Sequence, residues 1–140
     1  MEEKQVKFLK RIIRNLNHDV NILVINRSRV NRIIESLKKS LTSLLVEIEK
    51  ERELSRQIPS FEFEKFFKES KKRTQKIEDE IERNQVITQT LILELKEKFS
   101  EQKKYENLLA KLEQKLIKKN KLEEQKKLDE FVEQKQMYIR

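Results

Sequence analysis

Leu54-Ser55-Arg56-Gln57-Ile58-Pro59-Ser60 holds the one proline of a 140-residue chain that has no glycine at all. Proline lacks the backbone N–H that a helix interior needs, and it pushes the preceding residue away from helical geometry. With the other strong breaker absent, residues 55–60 are the place where a long helix must stop and turn. Ser60 is suited to cap a new helix by accepting from its first free N–H groups, and Glu62 and Glu64 follow in the first turn, where negative charge is favoured. The expected elements are a first helix over about residues 2–56, a turn over 55–60 and a second helix over about 61–137.

Working outward, the upstream segment carries apolar residues spaced three and four apart. The series is Val6, Leu9, Ile13, Leu16, Val20, Leu23, Arg27, Val30, Ile34, Leu37, Leu41, Leu44 and Ile48, with Arg27 as its one polar interruption. A sustained repeat of this kind is a coiled-coil seam. Phe8, Ile12, Ile22, Ile25, Ile33 and Leu45 flank it and widen the stripe. Downstream the series resumes, with more polar members: Phe67, Ser70, Thr74, Ile77, Ile81, Asn84, Thr88, Leu91, Leu95, Lys98, Gln102, Tyr105, Leu109, Leu112 and Leu116. Beyond Leu116 the spacing changes through Leu122, Leu128 and Phe131, and the apolar face thins.

These patterns predict an all-α fold. Two long helices form an antiparallel coiled-coil hairpin within a single domain, residues 1–140, and the second helix extends beyond the amino terminus. With the turn centred near Gln57 and Ile58, facing residue numbers sum to about 115. Residues 20–25 then meet residues 90–95, the two densest apolar clusters, and Arg27 meets Thr88 in a shared polar layer. Residues 115–140 have no partner in this register. At ~1.5 Å rise per residue, each arm is roughly 80 Å long and the overhang roughly 40 Å.

Charged residues make up 41% of the chain and hydrophobic residues 36%, which suits a long thin core and not a thick globular one. The absence of cysteine excludes disulfides and thiolate metal sites. His18 is the lone histidine and lacks a ligand partner at helical spacing, so it reads as a solvated position. Acidic residues such as Glu78, Asp79, Glu80 and Glu82 sit where a two-helix protein has no pocket to desolvate them, and phosphate loops need glycines. The chain is therefore expected not to be an enzyme and to carry no cofactor, metal or catalytic residue. The apolar runs at residues 22–25 and 91–93 fall far short of the ~20 residues that cross a bilayer, and Glu2 and Glu3 are the wrong charge for a secretory leader. A soluble, cytoplasmic monomer is expected.

The formal net charge of +8 is unevenly spread. Residues 1–57 hold 13 Lys and Arg against 8 Asp and Glu, residues 58–114 hold 12 against 12, and residues 115–140 hold 8 against 5. The runs Lys71-Lys72-Arg73 and Lys118-Lys119 lack the aromatic or base-reading residues of a nucleic-acid site, so they read as helix surface. Phe61, Phe63, Phe66 and Phe67 gather just after Pro59. They read either as a packed tip closing the hairpin or as an exposed anchor for a partner.

The stretch Lys121-Leu122-Glu123-Glu124-Gln125-Lys126-Lys127-Leu128-Asp129-Glu130-Phe131-Val132-Glu133-Gln134 resembles the end of the FliJ family, small coiled-coil components of the flagellar type III export apparatus. Residues Gln125, Lys126, Lys127, Leu128, Asp129, Glu130 and Phe131 are most similar to the family pattern. The resemblance implies a stalk like the γ subunit of rotary ATPases. Its paired termini enter an export ATPase hexamer, its far part contacts the membrane protein of the export gate, and export chaperones bind it. It implies residues 125–131 as the ATPase contact, Phe61, Phe63, Phe66 and Phe67 as the gate contact, and a place at the inner membrane. The competing expectations are a self-assembling structural coiled coil, which must dimerise, and a nucleic-acid-binding accessory protein, whose affinity would fall steeply with salt.

Overall fold

The computed structural model describes residues 2–58 and 60–139, with the side chains of Phe61 and Ile139 outside the description. Two helices account for nearly all of it: α1, Glu2–Gln57, and α2, Phe61–Ile139. They pack against each other, and no strand occurs among the described residues. Glu2 and Glu3 open α1, Glu62 and Glu64 open α2, and Arg56 closes α1, so charge complements each of these helix ends.

The break lies between Gln57 and Phe61. Ile58 N–H still donates to the Leu54 carbonyl at 2.9 Å, the last bond of α1. Ser60 then caps α2: its Oγ accepts from Glu62 N–H at 3.3 Å and its carbonyl accepts from Phe63 N–H at 3.3 Å. Pro59 itself falls outside the described residues.

By packing, the chain divides into two compact units. Unit 1 joins Met1–Val20 to Glu97–Arg140, and unit 2 is Asn21–Lys96. In unit 1 the seam buries Leu9, Leu16 and Val20, with Gln102, Tyr105, Leu109, Leu112 and Leu116 of α2 half-buried. Lys10 lies 4.0 Å from Glu113, Gln102 donates to Asn17 Oδ1, and Lys98 lies 3.8 Å from Asp19. Partner numbers fall as α1 numbers rise, an order that fits an antiparallel pair. The register differs from the expected one. A sum of about 115 would set Lys98 opposite Asn17, but Lys98 pairs with Asp19 and Asn17 takes Gln102, about one turn further along α2.

In unit 2 the buried side chains are Ile34, Leu44, Leu95 and Ser70. Thr74 Oγ1 and Asn84 Nδ2, both at seam positions, donate within α2 to the Ser70 and Glu80 carbonyls at 2.8 Å each. Arg27 does not share a layer with Thr88. Its side chain is exposed, with Asn26 half-buried beside it, while Thr88 lies with Asn31 and Ile34. The cause is the position of the break. Because α1 runs on to Gln57 and α2 starts at Phe61, the connection is centred later than Gln57 and Ile58, and facing positions move along. A long guanidinium also escapes a narrow seam readily, since its stem can lie on apolar surface while its head reaches water.

Candidate partner-binding surfaces

The phenylalanine cluster forms the first turns of α2. Phe63, Phe66 and Phe67 are half-buried, and the rings of Phe66 and Phe67 meet edge to face at 5.6 Å and 71°. Such a pair adds a modest attraction beyond burial. Phe61 begins the helix, and its side chain lies outside the described residues. Phe63, Phe66 and Phe67 are thus partly covered by packing, and part of each remains open to solvent.

The last turns of α2 are different. They stay helical to Ile139, yet every described side chain from residue 117 onward is exposed. Gln125 Nε2 donates to Asp129 Oδ1 at 3.2 Å across one turn. Lys126, Lys127 and Glu130 are exposed around them. Leu128 and Phe131 share a face and are 61% and 56% exposed. Two neighbours escaped the sequence reading. Val132 extends this apolar patch, and Lys135 holds its ammonium 5.1 Å from the centre of the Phe131 ring. The i, i+4 spacing of Phe131 and Lys135 was the available signal for the second.

Among the described residues no three His, Cys, Asp or Glu side chains gather in a way that would hold a metal ion. No helix among them is long and apolar enough to cross a membrane. Comparison with protein-family models, with curated proteins and with solved structures finds no match to this chain.

Proposed function

We propose that this chain is an export stalk of the FliJ type, an antiparallel hairpin in which the end of α2 projects past the start of α1 into the ring of an export ATPase. The part around the Pro59 break faces the membrane protein of the export gate, and export chaperones are further partners. The protein acts in the cytoplasm against the inner membrane, as a mechanical and docking element without catalysis of its own.

The observation that carries the reading is the state of α2 beyond Leu116. A helix whose apolar residues are all exposed among the described residues is marginal in water, so a partner that covers them stabilises it. The run resembling the family, residues 125–131, lies in that part. Deleting residues 121–140 is expected to abolish binding to the export ATPase of the same cell while circular dichroism shows the rest still helical. Leu128→Asp and Phe131→Asp are expected to weaken binding more than Lys126→Glu or Lys127→Glu, because exposed charge pairs contribute little. Undiminished binding by the truncated chain would remove the stalk reading.

A second reading, a self-assembling coiled coil, draws on apolar side chains left outside the seam. Leu45 and Val46 of α1 are about half exposed, as is Ile25. A concentration-dependent mass in sedimentation would favour this reading over the stalk.

A further inference from the structure

The two sides of the seam in unit 1 are built differently. Lys10 and Phe8, two residues apart, point to roughly opposite sides of α1, as do Glu113 and its neighbours Lys111 and Lys115 on α2. On one side Lys10 and Glu113 close the seam with an ion pair. On the other, Phe8 and Leu9 of α1 and Leu108, Lys111, Leu112 and Lys115 of α2 line an open groove of about 580 Å³. Leu9 and Leu112 form its floor, buried and half-buried respectively. Phe8 and Leu108 form its walls and are 61% and 42% exposed.

The rim on α2 is a column of positive charge. Lys104, Leu108, Lys111, Lys115, Lys118 and Leu122 recur at spacings of three and four, so they share one exposed face. No ion pair links any of these four lysines to another described residue, whereas Lys10 and Lys98 on the same unit are paired. Like charges one turn apart repel, and the repulsion ends when carboxylates are laid along them.

We infer that this groove docks an acidic amphipathic helix of a partner protein. Apolar residues of that helix at i, i+3 or i+4, and i+7 enter between Phe8 and Leu108, and its Asp and Glu side chains lie along Lys111 and Lys115. The shape selects this occupant over other anions. A trough between two helices receives a third cylinder, while a flat bilayer would leave Leu9 and Leu112 on the floor uncovered. Phe8 is the one aromatic ring lining the groove, and a nucleic-acid strand needs successive rings for its bases to stack upon. The groove is a property of unit 1 and does not depend on what the end of α2 contacts.

The test is fluorescence anisotropy on the full chain with a labelled synthetic helix of about 18 residues, Leu on one face and Glu on both flanks. A scrambled peptide of the same composition, a labelled oligothymidine and phosphatidylserine vesicles complete the set of probes. Saturable binding is expected for the amphipathic peptide, at least about tenfold tighter than for the scrambled one. Phe8→Gln with Leu108→Gln, and separately Lys111→Gln with Lys115→Gln, are each expected to weaken it by about tenfold or more. The lysine pair is exposed and keeps the fold intact if the apolar pair perturbs it, and circular dichroism checks both. Lys10→Gln on the far side and Leu128→Asp at the end of α2 leave binding unchanged. Equal affinity for the scrambled peptide, retention in the lysine variant, no saturation, or preference for the oligonucleotide or the vesicles would overturn the inference.

Discussion

Leu44 and Leu45 are adjacent in the chain and opposite in environment, 3% and 50% exposed. Replacing Leu44 with Ala removes bulk from a closed part of the seam and is expected to cost about 2–4 kcal/mol, within the usual range for such a cavity. Leu45→Ala is expected to cost less than about 1 kcal/mol, because most of that side chain already meets water. Urea denaturation followed by circular dichroism separates the two, and equal losses would mean that a second chain covers Leu45. Thr88 makes the opposite kind of prediction. Its hydroxyl is shielded from water and has no hydrogen-bond partner among the described residues, so Thr88→Val is expected to raise stability by up to about 1 kcal/mol in the same measurement. The inward positions were legible because burial in a two-helix seam depends on angle around the helix, and three-four spacing reports angle. Arg27 was misplaced for a related reason: spacing fixes where a Cα lies, not where a long flexible side chain ends.

Between the helices, Ser60 supplies the hydroxyl that accepts from Glu62 N–H at the start of α2. Ser60→Ala is expected to lower stability by about 1 kcal/mol, whereas Ser60→Asp keeps it, since a carboxylate serves the same N–H group. Within α2 itself, stability should be uneven. Amide hydrogen exchange is expected to be fast over residues 121–138 and slow around Leu95, because a solvated helix opens far more readily than one held by a partner. Addition of the export ATPase should slow exchange in 121–138 if the stalk reading holds. That residues near Pro59 interrupt the helix was readable from chemistry alone. The depth of the phenylalanine cluster was not, because one helix's pattern does not say how much of a ring its neighbours cover.

For the whole molecule, the mass in solution is the most economical test. Sedimentation should return the monomer, 17.1 kDa, if α1 and α2 of one chain satisfy each other's seam. The helical class and the seam came through in the sequence because they rest on repeated features summed over many residues. The groove of unit 1 did not, because Phe8 and Leu108 lie a hundred residues apart and neither belongs to the repeat. Surface sites of this kind have no period to announce them. The seam has a further consequence for descent. It demands apolar bulk at only about two positions in each heptad, and Leu, Ile and Val serve there almost interchangeably. The outward positions drift with little penalty, so lineages of such a chain lose residue identity long before they lose their geometry. Kinship is then better sought by aligning seam phase and the place of the break than by counting shared letters.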